Sequence, residues 1–128
     1  MQSKIFEEFN QRRTAGNEKV LEQDFLPFKR FYSIDTLCYK DGAIPVKYKE
    51  LMGLVASLVL RCKDCILYHI ERAISEGATK IELNEAMNIS LVVGGSIVIP
   101  ELRFALTAIE EKFNSINKNT DKQRDMLI

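Results

Sequence analysis

Hydrophobic residues recur along most of this chain at the three- and four-residue spacing of an α-helix. The spacing is clearest over residues 46–60, where Pro45 suits the first turn of a helix. The residues that follow the helical template there are Leu51, Leu54, Val55, Leu58 and Val59. Because Met52, Ala56 and Leu60 widen this apolar face, we expect the helix to be buried on most sides.

Two helical stretches precede that helix. Residues 3–24 have a helical pattern with a predicted break near Gly16, and Pro27 ends this part of the chain. Residues 28–38 form the second stretch, whose expected inward side chains are Phe28, Phe31, Tyr32 and Leu37. Cys38 is expected to fill core space as a small hydrophobic residue.

The helical pattern continues after residue 60. A helix over residues 62–76 stops at Gly77. Its expected inward stripe is Cys65, Ile66, His69, Ile70, Ala73 and Ile74. The next helix begins with a capping box at Thr79–Glu82 and is apolar on nearly every side over residues 87–99. The adjacent glycines Gly94-Gly95 are expected to allow a close approach of another helix.

Pro100 opens a last helix, and residues 114–128 are expected to fray. No pair of strands is predicted, and 128 residues suggest one domain. The predicted fold class is therefore all-α, a compact single-domain bundle of about six to seven helices. The all-round apolar stretches 51–60 and 87–99 exceed what one small domain readily buries, so we also expect an oligomer.

The composition narrows the range of partners and locations. Eighteen basic and eighteen acidic residues cancel, which gives no electrostatic case for binding nucleic acid or an anionic membrane. The longest apolar run, residues 51–60, is about half a membrane span. Residues 1–13 do not have the pattern of a signal peptide. Three cysteines in such a chain suggest a reducing compartment, and we expect a cytoplasmic protein.

The candidate chemistry lies at Cys62, Cys65 and His69, which fall within an arc of roughly 60° on one helix face. Two thiols one turn apart can close into a disulfide, and a histidine one turn further on can take a proton from a thiol. A helix that begins near Cys62 also places both sulfurs by the free backbone N–H groups of its first turn, which favour a thiolate.

Other functions fit the same three residues. Cysteine and histidine are zinc ligands, but no convincing fourth ligand is found in the sequence. Two inert core cysteines beside a core histidine are a further possibility. Glu50 stands one turn before the apolar run, where a carboxylate is usually solvated or placed to meet the helix dipole.

A longer pattern, Glu-x11-Cys-x2-Cys-x3-His, is followed eight residues later by Gly77-Ala78-Thr79. Its residues are Glu50, Cys62, Cys65 and His69. The pattern resembles the alkylhydroperoxidase D-like group of the carboxymuconolactone decarboxylase family, as do the upstream residues Lys40 to Pro45. The resemblance covers about residues 28–113, between an N-terminal helical extension, 1–27, and the tail.

This resemblance implies an all-helical fold assembled into trimers or hexamers, with thiol peroxidase or disulfide-exchange activity. In the family a glutamate, acting through water, and a histidine relay a proton to the second cysteine. On this chain the relay corresponds to Glu50, His69 and Cys65, and Cys62 closes the disulfide. Alkylhydroperoxidase D has a second histidine where this chain has Asp64, whose carboxylate would oppose thiolate formation nearby.

The favoured function is that of a thiol oxidoreductase that reduces hydroperoxides through a Cys62–Cys65 disulfide cycle. No flavin or nicotinamide motif is present, so we expect no cofactor, and electrons from another protein or a small thiol. The alternatives are a lactone decarboxylase or isomerase of the same family, and a non-enzymatic oligomeric helical module that binds a metal.

The mechanism sets a condition on the fold. One unbroken helix would place Glu50 about 22 Å from Cys65 along its axis, too far for a water relay. The chain must therefore turn back between Leu58 and Cys62, although no glycine or proline marks a turn there. With that turn, we expect a Glu50 carboxylate oxygen within one water's reach of the His69 imidazole.

Overall fold

The computed structural model describes residues 3–126, which form six α-helices and one short 3₁₀ helix. The helices are α1 (Lys4–Glu22), α2 (Leu26–Cys38), α3 (Val46–Leu60), α4 (Lys63–Ser75), α5 (Lys80–Gly94) and α6 (Ile99–Met126), with the 3₁₀ helix (Ser96–Val98) before α6. No strand occurs in this described range, and the predicted all-α class is confirmed. No helix within it is long and apolar enough to cross a membrane.

The hydrophobic core lies around α3 and α4, which pack along each other. Helix α5 packs against α3, while α1 and α6 pack against α4. The largest fully buried apolar side chains are Phe6, Leu54, Leu58, Ile66, Ile70, Leu83, Met87 and Val98. Because each such side chain stabilises the fold by about 2 kcal/mol, this shared core fixes how α3 and α4 lie relative to each other.

The predicted turn between α3 and α4 is confirmed. Arg61 ends α3 with a φ of 60° and a ψ of 38°, the left-handed conformation that glycine usually provides. The N–H groups of Arg61 and Cys62 donate to the carbonyls of Leu58 and Ser57, which satisfies the end of α3. The Nε of Arg61 also lies 3.3 Å from a carboxylate oxygen of buried Glu101. These contacts offset the roughly 1–2 kcal/mol that this conformation costs a residue with a side chain.

Other sequence signals also give the expected helix ends. Thr79 and Glu82 form the predicted capping box of α5, and Gly77 has a φ of 95° just after α4. The expected close approach occurs at Gly94, where a Cβ would lie 2.6 Å from Val98 and 3.6 Å from Val59 of α3.

The predicted break near Gly16 and the predicted fraying of the tail are wrong, and α2 begins two residues earlier than expected. Helix α1 runs unbroken through Gly16, because one glycine costs a helix only about 1 kcal/mol and does not by itself end it. Pro27 lies in the first turn of α2, a position that needs no backbone N–H donor. The expected fraying from residue 114 is not observed as far as Met126, where α6 remains helical; residues 127–128 lie outside the described residues.

The expected inward faces of α2 and α3 need correction. No residue of α2 is buried in this chain, and Phe28, Phe31 and Leu37 are exposed, as is Cys38. Helix α3 buries one side only, and the residues expected to widen its buried face are exposed: Met52, Ala56 and Leu60. The physical reason is that the core of one chain lies on one side of each helix, so the remaining apolar side chains face away from it.

Candidate active site

The start of α4 carries the two cysteines. Cys62 caps the helix, and its Sγ accepts the backbone N–H of Cys65 at 3.2 Å. The two sulfurs are joined in a disulfide. Cys65 is exposed, which corrects its expected place in the inward stripe, because the first turn of α4 extends beyond the core. An exposed sulfur at a helix N-terminus can meet a substrate while the backbone N–H groups favour its anion.

A buried acid–base pair lies beside the disulfide. An Oε2 oxygen of Glu50, on α3, lies 2.8 Å from Nδ1 of His69, on α4. Glu50 is 1% exposed and His69 is 9% exposed. The predicted proximity is confirmed, and the contact is direct where one intervening water was expected. The turn at Arg61 produces this contact, since it brings α3 and α4 side by side.

The two nitrogens of the imidazole have different partners. Nδ1 faces the Glu50 carboxylate, and with the proton on Nδ1 this nitrogen donates to Glu50 while Nε2 is the acceptor. The hydroxyl of Tyr39 lies 3.5 Å from Nε2. Burial and the negative charge of Glu50 raise the pKa of Tyr39, which keeps this hydroxyl protonated and able to donate. Glu50 thus faces one ring nitrogen and the Tyr39 hydroxyl faces the other.

Two further side chains surround the buried pair. The Nε of Arg72 lies 3.8 Å from Oε1 of Glu50, so a partly exposed positive charge faces the buried carboxylate. The ring of Tyr68 meets the imidazole edge-on, with 5.1 Å between ring centroids. Burial, followed by the charge of Glu50, raises the pKa of Tyr68 as well. The pair is thus enclosed by neutral aromatic rings and one guanidinium group.

Gly53 is a site residue that the sequence analysis missed. A Cβ at this position would lie 2.5 Å from Cε1 of His69 and 2.7 Å from both ring nitrogens. The absence of a side chain therefore makes the space that the imidazole occupies. A glycine one turn after Glu50 inside an otherwise apolar helix is the sequence signal that could have identified it.

An open pocket of about 510 Å³ adjoins Cys65 and His69. It is lined from α1 by Phe9, Arg12, Arg13, Gly16 and Asn17, from α2 by Tyr32 and Asp35, and from α4 by Asp64, Cys65, Tyr68 and His69. Asp64 pairs with Arg12 at 2.7 Å between two exposed side chains. The contribution of α1 was not expected, because its contact with α4 depends on tertiary packing.

The cysteine and histidine side chains of the described residues also bear on the alternative of a metal site. Within residues 3–126, no cluster of three or more histidine, cysteine, aspartate or glutamate side chains has the arrangement of a metal site. Cys62 and Cys65 are bonded to each other, and Nδ1 of His69 faces Glu50. The expected core position of Cys38 is wrong, because this residue is exposed. Cys38 also does not line the pocket beside Cys65.

The fold and the site define an all-helical protein with a Cys-x-x-Cys pair beside a buried glutamate–histidine pair. The sequence profile of the carboxymuconolactone decarboxylase family matches residues 27–111, more than half of the chain. The chain therefore belongs to the carboxymuconolactone decarboxylase family, as its resemblance indicated.

Solved structures of that family have the same fold. A carboxymuconolactone decarboxylase family protein of Thermotoga maritima is 51% identical, covers 88% of this chain and 95% of its own, and superposes with a TM-score of 0.82. That Thermotoga protein is described as possibly involved in an antioxidative response. A Legionella pneumophila family protein is 28% identical over 85% of this chain and 97% of its own, with a TM-score of 0.78.

Curated relatives match a shorter part of the chain. An uncharacterised protein of Cupriavidus necator is 31% identical over 65 residues, which is 51% of this chain and 58% of that protein. An uncharacterised protein encoded in the cox locus of Paracoccus denitrificans is 26% identical over 81 residues, 63% of this chain and 73% of that protein. The chain thus spans less than two thirds of the first of these relatives.

Proposed function

We propose that this protein is a thiol-dependent peroxidase that reduces hydroperoxides through a Cys62–Cys65 dithiol–disulfide cycle. The observation that carries the proposal is the disulfide at the N-terminus of α4, beside the buried Glu50–His69 contact of 2.8 Å. A disulfide between the two cysteines is the product that a two-electron oxidation would leave. The Thermotoga relative, named as a possible participant in the antioxidative response, supports the same class of reaction.

The cycle has three balanced steps. The Cys65 thiolate attacks the terminal oxygen of the hydroperoxide, the O–O bond breaks, and a sulfenic acid forms while the alkoxide leaves and takes a proton. The Cys62 thiol then attacks this sulfenic acid, which forms the disulfide and releases water. A reduced dithiol finally gives two electrons and two protons to the disulfide and is itself oxidised.

The two cysteines and the acid–base pair take different roles. Cys65 is the favoured attacking thiol, because it is exposed and lines the same pocket as His69. Nε2 of His69 would accept its proton, and Glu50 would stabilise the resulting imidazolium. Cys62, which caps the helix and accepts the N–H of Cys65, is suited to close the disulfide.

The proposed partners are a hydroperoxide substrate and an electron donor that is a protein dithiol or a small thiol. The redox cycle itself requires no bound flavin, nicotinamide or metal. We propose a cytoplasmic location, where such thiol donors are kept reduced, and assembly into a trimer or hexamer.

Peroxide consumption with a dithiol reductant tests the proposed function. Wild-type protein, Cys62→Ser and Cys65→Ser are compared, with Cys38→Ser as a matched control outside the pocket. We expect loss of turnover in both site variants and an unchanged rate in Cys38→Ser. A robust wild-type rate that persists in both site variants would reject the cycle. No wild-type consumption at all would also contradict it and leave the lactone chemistry of the family to be assayed.

A further inference from the structure

One face of α1 forms a wall of the pocket that adjoins Cys65. Its residues follow the i, i+3, i+4, i+7, i+8 spacing of a helix face: Phe9, Arg12, Arg13, Gly16 and Asn17. Helix α1 spans Lys4–Glu22, whereas the match to the family profile begins at residue 27. This wall is thus supplied by a part of the chain outside the matched family region.

Specific contacts hold α1 against the start of α4. Phe9 is buried in the core at 3% exposure. The guanidinium of Arg12 pairs with Asp64 at 2.7 Å, and that of Arg13 lies 4.6 Å from the centre of the Tyr68 ring. These contacts place the pocket face of α1 opposite the residues that carry the proposed chemistry.

Gly16 has a clear consequence for the size of the pocket. Apart from the adjacent residues and the nearby backbone of α1 itself, no heavy atom would lie within 4 Å of a Cβ added at Gly16. The position therefore borders open space. Helix α1 is unbroken there, and its backbone does not have the positive φ that requires glycine. Glycine at this position costs the helix about 1 kcal/mol relative to alanine. What Gly16 provides in return is space at the edge of the pocket.

The character of the pocket suits the organic part of a substrate. Three aromatic rings contribute to its lining: Phe9, Tyr32 and Tyr68. The charged lining residues balance, with Arg12 and Arg13 against Asp35 and Asp64. A volume of about 510 Å³ is within the range of small-molecule sites and far exceeds what hydrogen peroxide needs.

From these observations we propose that α1 is the substrate-selecting wall of the active site and that Gly16 sets the size of the organic group accepted. The proposal rests on the proposed peroxidase function and adds to it a specificity determinant. A large side chain at Gly16 would occupy the pocket volume and leave the small peroxide group free to reach Cys65.

The test is Gly16→Leu, with kcat/KM measured for cumene hydroperoxide and for hydrogen peroxide. We expect a loss of about tenfold or more for cumene hydroperoxide and a change within about twofold for hydrogen peroxide. Ala15→Leu is the matched control, because it adds the same side chain at the adjacent position, which faces a separate groove. Gly16→Ala, which should favour the helix, is expected to give a smaller loss in the same direction.

Equal losses for both peroxides, or no loss for either, would overturn the proposal. A slower reduction of the disulfide by a protein dithiol, with both peroxide rates unchanged, would also overturn it, because the wall would then serve the electron donor. Alkylation of the reduced protein separates this proposal from the peroxidase proposal. Gly16→Leu should slow N-phenylmaleimide more than iodoacetamide even if the wild type consumes no peroxide.

Discussion

At the scale of single residues, the imidazole of His69 is fixed by contacts from different parts of the chain. Glu50 holds Nδ1, the hydroxyl of Tyr39 faces Nε2, and the backbone of Gly53 leaves space for the ring. A general base works only when its lone pair points at the proton that it takes. The orientation of this ring is therefore as important to the proposed chemistry as its identity.

Gly53→Ala tests that orientation. The added methyl group would lie 2.5 Å from Cε1 of His69, so the imidazole must move. We expect the alkylation rate of the reduced thiols at neutral pH to fall about tenfold or more, toward that of His69→Ala. Helix content by circular dichroism should be retained, since alanine favours a helix more than glycine does.

The control for that experiment is Gly42→Ala, where the new methyl group makes only an ordinary contact of 3.7 Å with the Lys49 amine. Its alkylation rate should equal that of the wild type. An unchanged alkylation rate in Gly53→Ala would mean that the imidazole can move aside and that its position does not limit the reaction.

The sequence predicted part of this site. The spacing of Cys62, Cys65 and His69 on one helix is a local property, so it could be derived from the sequence directly. The roles of Glu50 and of the turn depended on the family resemblance, because no glycine or proline marks Arg61. Tyr39 could not be predicted, since its contact with His69 joins residues 30 positions apart.

At the scale of helices, apolar spacing predicted which segments are helical but not what covers them. Helix α2 has the expected pattern, yet none of its residues is buried in this chain. A stripe of apolar residues shows that one face avoids water, whereas the identity of the covering surface depends on the rest of the fold. The attachment of α1, which has its own polar contacts, was missed for the same reason.

One such contact joins the start of α1 to α6. An Oε1 oxygen of Glu111 accepts the hydroxyl of Ser3 at 2.7 Å and the N–H of Ile5 at 2.9 Å. These two hydrogen bonds, the hydroxyl first, lower the pKa of Glu111 below its ordinary value of 4.5. The carboxylate thus caps α1 and holds it beside the pocket.

We expect Glu111→Ala to lower the melting temperature by about 4 °C at pH 7. This corresponds to a loss of about 1 kcal/mol in the free energy of unfolding, for a partly buried carboxylate with two hydrogen bonds. Because folding lowers this pKa, the stabilisation is complete above pH 4.5 and is lost as pH falls through the folded value. The difference between variant and wild type should therefore shrink below pH 4.5. Glu110→Ala, on an exposed neighbour, is the control, and an equal effect in both would contradict the cap.

At the scale of the whole molecule, the chain leaves a large apolar surface uncovered. On α2 this surface consists of Phe28, Phe31, Ile34 and Leu37, all at least 45% exposed. At the end of α5 and in the 3₁₀ helix it consists of Val92, Val93 and Ile97. Exposed apolar groups of this extent are typical of an interface between protein chains. They fit the trimer or hexamer that the family resemblance implies.

We therefore predict that light scattering at micromolar concentration will show a trimer or larger assembly. Phe31→Glu places a charge within the apolar stripe of α2, so it should shift the population to smaller species, because burying an unpaired charge is costly. Ser33→Glu adds the same charge on the opposite side of α2 and should leave the assembly unchanged. A monomeric wild type would remove the need for a covering chain, and an intact assembly in Phe31→Glu would place the interface away from α2.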